Sequence, residues 1–155
     1  MKNLAVSKDK IPAMSKPSID KVKQLENVLL AFPQVELNTD HVIHGSMYAR
    51  TVKIPKGAML SGALIKVPTM LIINGSCRVF VGDDAIDVNG YNVLAASANR
   101  KQAFLSFEET TITMIFQTNV DSVEEAEIEF TNEYELLMSH KDSNQNTVII
   151  TGEKR

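Results

Sequence analysis

The chain has 155 residues, 44% of them hydrophobic and 23% charged, with a formal net charge of −3. That length suits one domain with a sizeable core, and the charge leaves no global basic field to recruit a nucleic acid polymer. No apolar run reaches the roughly 18–20 residues of a membrane span, no signal-peptide core precedes the domain, and the single cysteine, Cys77, excludes an internal disulfide and fits a reducing, cytoplasmic home.

Residues 1–17 are polar, carry Lys2, Lys8, Lys10 and Lys16 with Pro12 and Pro17, and read as a flexible arm. Ser18 suits a helix N-cap. Ile19, Val22, Leu25, Val28, Leu29 and Phe32 then recur at helical spacing up to Pro33, which predicts an amphipathic helix packed on the core. Between Val35 and Thr118 the pattern changes to short alternating or apolar runs: 48–54, 58–65 with a break at Gly62, 69–73, 78–81, 85–88, 91–94, 102–107 and 111–117. Asn74-Gly75 and Asn89-Gly90 read as hairpin turns, because both residue types tolerate positive φ. About eight strands at this spacing predict a mostly-β sandwich or barrel.

Ser122 and Glu125 form a capping-box pattern, and Val123, Ala126, Phe130, Tyr134 and Leu137 fall on one face of a second predicted helix. Residues 119–137 hold seven of the 19 acids and no Lys or Arg. This acidic face reads as a solvated surface, with a docking surface for a basic partner as the alternative. Residues 140–146 read as a polar linker. Thr147–Thr151 is a β-prone run able to extend its own sheet or a neighbour's.

Three groups of residues carry a family resemblance: Gly45–Arg50; Ile54-Pro55-Lys56-Gly57 with Leu60-Ser61-Gly62 after it; and Ser97–Lys101 leading into Glu108-Glu109-Thr110. Through them Val35–Thr118 resembles the cupin family, and the flanks, including Phe32-Pro33-Gln34-Val35, resemble small cupin-like proteins of tailed bacteriophages. The resemblance implies a single cupin-like jelly-roll β-barrel over residues 18–138 with an N-terminal and a C-terminal amphipathic helix. It leaves a polar tail with a short strand over 139–155. It further implies a homo-oligomer, a dimer or larger, in the host cell cytoplasm.

A metal-binding cupin carries His-x-His and Glu after one motif glycine, and Pro-x-Gly and His after another. Counted from Gly57 and Gly90, those ligand positions fall on Ala63, Ile65, Thr69 or Met70, and Lys101. Ala63 and Ile65 offer no lone pair, Thr69 is a weak neutral donor, and a lysine ammonium repels a divalent ion. The resemblance therefore comes with degenerate metal motifs, and neither a metal nor another cofactor is expected.

Arg100 and Lys101 are adjacent, and strand neighbours point to opposite faces, so one is expected in the barrel interior and the other in solvent. Arg50 and Lys66 extend the same mouth, His44 lies just before the first long strand, and Glu108 offers a counter-charge. Lys101, Arg100, Arg50, Lys66, His44 and Glu108 are thus the candidate ligand-binding set for a small anionic molecule: a phosphate, a carboxylate, a metabolite or a nucleotide. Scattered surface cations, partnered internally by Glu108 or Glu109, are the alternative. His41 and His44 are three apart in a loop or strand context, which favours a surface or interface role over a metal site. His140 has no visible partner, and Cys77 reads as a buried structural thiol. No nucleophile elbow or phosphate-binding glycine loop is present. An aromatic content of 6% without Trp argues against a stacking platform for single-stranded nucleic acid.

Three classes of function follow. The first is a non-catalytic, metal-free binding protein for a small anion, which in a phage setting would sequester a host metabolite or a nucleotide defence signal. The second is a structural or interaction oligomer with no small-molecule ligand. The third is an enzyme, through an unrecognised site or through acid–base work by Glu108, Glu109 and Lys101.

Overall fold

The computed structural model describes residues 10–137, 139 and 146–155. In chain order these form β1 (Lys10–Ile11), α1 (Lys16–Leu29), β2 (Thr39–His44), β3 (Met47–Ile54), β4 (Met59–Ser61), β5 (Thr69–Val81), β6 (Asp84–Ala96), β7 (Ala103–Ser106), β8 (Thr110–Gln117), α2 (Val123–Phe130), a 3₁₀ turn (Tyr134–Leu136) and β9 (Asn146–Ile150). The strands run β1-β6-β5-β8-β3-β2-β9, with β7 branching from β5 and β4 pairing with β7. All pairs are antiparallel except β1·β6 and β2·β9. The chain thus adopts the expected mostly-β, jelly-roll-like fold with two helices, although its hydrogen-bonded path does not close into a ring among the described residues. No described helix is long and apolar enough to cross a membrane.

The two Asn-Gly pairs are not hairpin turns. They face each other, Gly75 against Gly90, in the middle of two 13-residue strands whose actual turn is at Gly82-Asp83. The glycines do adopt positive φ, +149° and +79°, but they use it to bend the ribbon. Before Gly75, β5 pairs with β8 (Met70–Asn74); after it, β5 pairs with β7 (Cys77–Phe80). A Cβ on Gly75 would lie 2.6 Å from Thr110 Oγ1 and 2.7 Å from Glu109 O. The missing side chain is what allows the turn before β8 to press against the ribbon where it changes partners.

Alternation sorts the residues of the long strands. Leu71, Ile73, Leu94, Ile112, Met114 and Phe116 point inward and are buried, joined by Tyr48, Ile54 and Val79. Cys77 is buried among them; burial first, and then the Asp87 carboxylate, push its thiol up to about 11, as a structural cysteine requires.

Each flank departs from its sequence reading for a local reason. The last part of the expected arm is tied down: Lys10–Ile11 pairs with Ala95–Ala96, and Ile11 is buried. Ser15, not Ser18, caps α1, with its hydroxyl accepting from Ser18 N at 3.3 Å. Pro17 then sits in the first turn, where its missing N–H costs nothing. Only Val22 of the expected apolar stripe is fully buried, while Val28 and Phe32 are exposed, because α1 lies across the molecule rather than within its core. The second helix stops at Phe130. Thr131 turns extended (φ −151°, ψ 147°) and its hydroxyl accepts from Glu133 N at 3.0 Å, while Phe130 O accepts from Lys66 N at 2.8 Å. Tyr134 therefore lies in the separate 3₁₀ turn that ends before Leu137. The run near the chain end becomes β9, an edge strand on its own sheet. His140 lies outside the described residues.

Gly75→Ala should lower folding stability by about 2–4 kcal/mol, combining overpacking with backbone strain. Gly90→Ala, which meets nothing within 4 Å, should cost only about 1–2 kcal/mol. Urea denaturation of the two variants checks this, and equal losses would mean that close approach of the β8 turn is not what selects glycine at position 75.

Candidate functional site

Between the inner face of the sheet and the end of α1 lies a cavity of about 450 Å³. Its walls are chiefly apolar, with Val52, Leu71, Phe104, Ile112 and Met114 from the strands and Leu29 from α1. Leu30, Phe32, Val35 and Leu136 also line it yet are exposed, which places them on its rim.

Two neighbouring polar groups break the apolar wall. Arg100 is 1% exposed, and an isolated bridge to Ile65 fixes its backbone. Its guanidinium donates to Gln102 Oε1 (3.0 Å), Ser97 O (2.7 Å) and Thr69 Oγ1 (2.8 Å). All three acceptors are neutral. Two of its five N–H groups remain without an acceptor among the described residues, and burial lowers its pKa to about 10. Since Gln102 spends its carbonyl on Arg100, its amide nitrogen is turned away, and Nε2 is buried with no hydrogen-bond partner among the described residues. Thr39 and Ser106 also hold unpartnered hydroxyls, but neither lines the cavity; Gln102 and Arg100 both do.

Lys101 takes the opposite side of the same short segment. It is as fully buried as Arg100, so neither of the two faces solvent where alternation expected one to; Glu26 of α1 and Glu133 beside the 3₁₀ turn close over it. Its ammonium donates to Gly62 O (2.9 Å), Glu133 Oε1 (2.9 Å) and Glu26 Oε2 (3.2 Å), so all three protons are used. Burial alone would raise the Glu133 pKa, but the Lys101 ammonium and the Leu64 N–H together hold it below its ordinary value. Lys101 is therefore an internal counter-ion and has no donor left for a ligand.

Arg50 also lines the cavity, but its charge is met. It pairs with Glu127 Oε2 at 3.0 Å, lies 5.5 Å from the Phe130 ring centroid, and reaches Ser139 Oγ and Tyr48 Oη. These contacts belong to a ring of hydrogen bonds. Ser139 Oγ donates to Glu127, Asn146 Nδ2 donates to Ser139 O, His41 Nε2 meets Asn146 Oδ1 at 2.7 Å, and His41 Nδ1 meets Tyr48 Oη at 2.7 Å. Because the Asn146 oxygen only accepts, Nε2 carries the imidazole proton and Nδ1 accepts from the tyrosine. Burial holds the His41 pKa below its ordinary value, opposed by the Asn146 hydrogen bond. His41 is therefore a buried structural histidine, not the surface residue its loop-like context suggested.

The other expected residues lie elsewhere. Lys66 is exposed and binds Asn132, His44 is exposed beside Thr151 and Glu153, and Glu108 is exposed 3.5 Å from Lys56. None of the three lines the cavity, and Glu108 and Glu109 do not meet Lys101, so the acid–base trio is not assembled. Of the six expected ligand-binding residues, the structure brings only Arg50 and Arg100 to the cavity wall, with Lys101 behind it. Gln102 was missed: in sequence a glutamine between a lysine and an alanine carries no signal, and only the fold shows that its amide nitrogen is stranded.

The segments that follow Gly57 and Gly90 do come together, through Ile65 N to Arg100 O (2.8 Å) and Gly62 N to Gln102 O (2.8 Å). What meets there is a hydroxyl, a guanidinium, a carboxamide, aliphatic side chains and a lysine ammonium that engages both nearby carboxylates, a set that does not fit a transition-metal ion. Among the described residues, no group of three or more His, Cys, Asp or Glu is placed to hold one.

No protein-family model matches the chain, and no curated protein is significantly similar in sequence. Solved structures similar in fold include a cupin superfamily protein from Desulfitobacterium hafniense (14% identity, TM-score 0.46, covering 59% of this chain and 88% of that one). A cupin-2 domain protein from Shewanella frigidimarina is also similar (12%, 0.43, 60% and 91%), as is KdgF from Halomonas (14%, 0.42, 51% and 77%). The reading of the site rests on this chain's own residues.

Two outcomes are expected. Lys101→Met should strand two carboxylates and cost about 3–5 kcal/mol of stability; a loss under about 1 kcal/mol in urea denaturation would show that the ion cluster does not hold the cavity end together. The second outcome concerns pH. The folded His41 pKa lies below the 6.5 of the unfolded chain, so its contribution to stability is complete above about pH 6.5 and is lost as pH falls below it. Glu133 acts in a separate, lower window, below its ordinary 4.5. The urea midpoint should therefore drop as pH falls below about 6.5, and His41→Gln should flatten that step while leaving the lower one.

Proposed function

We propose that this chain is a non-catalytic, metal-free, cupin-like binding protein whose cavity takes a small anionic ligand. The observation that carries the reading is the stranded donor group on the wall: Arg100 with only neutral acceptors and Gln102 with an unpartnered amide nitrogen. A buried guanidinium without a carboxylate, beside a buried donor without an acceptor, is costly in the empty protein. An anion accepting from both groups removes that cost. At about 450 Å³ the cavity falls within the usual range of roughly 300–1,000 Å³ for small-molecule sites. If the chain is phage-encoded, as the sequence resemblance implies, binding without turnover would serve to sequester a host metabolite in the host cytoplasm.

A ligand bound at a hundred times its Kd should stabilise the fold by about 2.7 kcal/mol. Thermal denaturation against a panel of carboxylates, phosphates, nucleotides and neutral analogues should show a raised midpoint with anions. The effect should vanish in Arg100→Met and persist in Lys66→Ala. If no anion shifts the wild-type midpoint, or purified protein carries a stoichiometric metal ion, the reading fails.

A second reading, an oligomeric interaction protein, is favoured by one surface. Met70 and Ile72 of β5, Val93 and Ala95 of β6, and Thr113 and Ile115 of β8 form an uncharged patch on the outer face of the sheet, paired across strands. Met70 and Val93 are 46% and 48% exposed, unusual for large apolar side chains on neighbouring strands. Light scattering should then give a dimer or larger for the wild type and a monomer for the double variant Met70→Lys, Val93→Lys. A monomeric wild type removes this reading.

A further inference from the structure

Resting on the anion-binding reading above, we infer that the ligand is a monocarboxylate with an apolar body, its single charge on Arg100 and Gln102 and its hydrocarbon along the cavity. Charge pairing sets the head group. Three cations meet at this end of the molecule, Arg50, Arg100 and Lys101. Glu127 pairs with Arg50, and Glu26 and Glu133 both pair with Lys101. Arg100 has no carboxylate partner among the described residues, and Glu26 and Glu133 also line the cavity.

The carboxylates equal these cations in number, so it is the pairing and not the sum that points to Arg100: a single negative charge there meets a guanidinium with no carboxylate of its own among the described residues. A second, as on a nucleotide phosphate, would face two carboxylates on the same wall. The donor set agrees: spare N–H groups on one guanidinium and an unpartnered carboxamide nitrogen are what the two oxygens of a carboxylate can accept from.

The rest of the wall sets the body. Away from Arg100 and Gln102 the cavity is bounded by Val52, Leu71, Phe104, Ile112 and Met114. A ribose or a second polar group would lose its hydration there with few partners in return. The exposed rim side chains Phe32 and Leu136 continue the apolar surface outward, so a chain longer than the cavity still finds apolar contact as it emerges.

Isothermal titration with acetate, hexanoate, octanoate, decanoate and phenylbutyrate, set against octanol, octylamine, inorganic phosphate and a nucleoside monophosphate, tests this. Among the straight-chain acids, Kd should tighten about fourfold per added methylene until the cavity is filled, then level off. Octanol should bind at least tenfold more weakly than octanoate, and octylamine not at all. Gln102→Glu gives Arg100 an internal carboxylate; it should weaken octanoate at least tenfold while leaving octanol within about twofold, a contrast that misfolding would not produce. Phosphate or the nucleotide binding more tightly than octanoate overturns the inference and leaves the anion-binding reading standing. Octanol binding as tightly as octanoate overturns both, as does silence from every anion. Phenylbutyrate outranking all the straight-chain acids supports the inference and assigns an aromatic body.

Discussion

One ammonium group holds together the parts of the molecule that make a cavity at all. Lys101 Nζ gathers Glu26 from α1, Glu133 from beside the 3₁₀ turn and the Gly62 carbonyl from the segment after β4. Apolar burial in the two helical segments is slight: α1 fully buries only Val22, and the 3₁₀ turn fully buries nothing. A buried charge with all three protons satisfied tolerates little displacement of its partners, because losing one leaves an uncompensated ion in a poorly solvated place. The triad thus acts as a geometric constraint. It fixes where α1 ends, and so where Leu29, Leu30 and Phe32 line the cavity.

The same constraint separates Arg100 from Lys101, which sequence treats as a pair. In a short extended segment the two side chains diverge, and each meets a different environment. Lys101 is enclosed by carboxylates and is complete. Arg100 is enclosed by a hydroxyl, a carbonyl and a carboxamide, and is not. Both carboxylates near the second motif locus have gone to one cation, so the other faces the cavity with donors to spare. The Gln102 amide is oriented by Arg100 itself, which leaves its nitrogen without an acceptor among the described residues.

How far the sequence could be read follows from which physical terms are local. Strand content, the capped second helix and the edge strand near the chain end were legible because alternation, capping and β-propensity act over a few residues. The Asn-Gly pairs show where this stops. Their glycines do take positive φ while Asn74 and Asn89 do not, and whether such a pair closes a hairpin or bends a long ribbon depends on Thr110 pressing on Gly75 from 35 positions away. The expected site shows the same limit. Arg50 and Arg100 do line the cavity, but Lys66, His44 and Glu108 were grouped with them by charge type alone, and charge type does not reveal a partner. Asn132, Thr151 and Lys56 supply those partners from the surface. Gln102 lay beyond reach altogether, since an unpartnered amide is a property of the folded neighbourhood.

Arg50 links the cavity to the far edge of the sheet. Its guanidinium lines the cavity and also belongs to the hydrogen-bond ring that runs through Glu127, Ser139, Asn146, His41 and Tyr48. Asn146 opens β9, whose five residues are all exposed and whose hold on the fold is its parallel pairing with β2 and this ring. A half-satisfied network of this kind would be worse than an apolar core. Here each side-chain group named finds a partner, and the imidazole of His41 stays neutral to let it do so. The strand that ends the sheet and the wall that faces the cavity are therefore positioned by one set of hydrogen bonds, and the protonation state of one buried histidine bears on both.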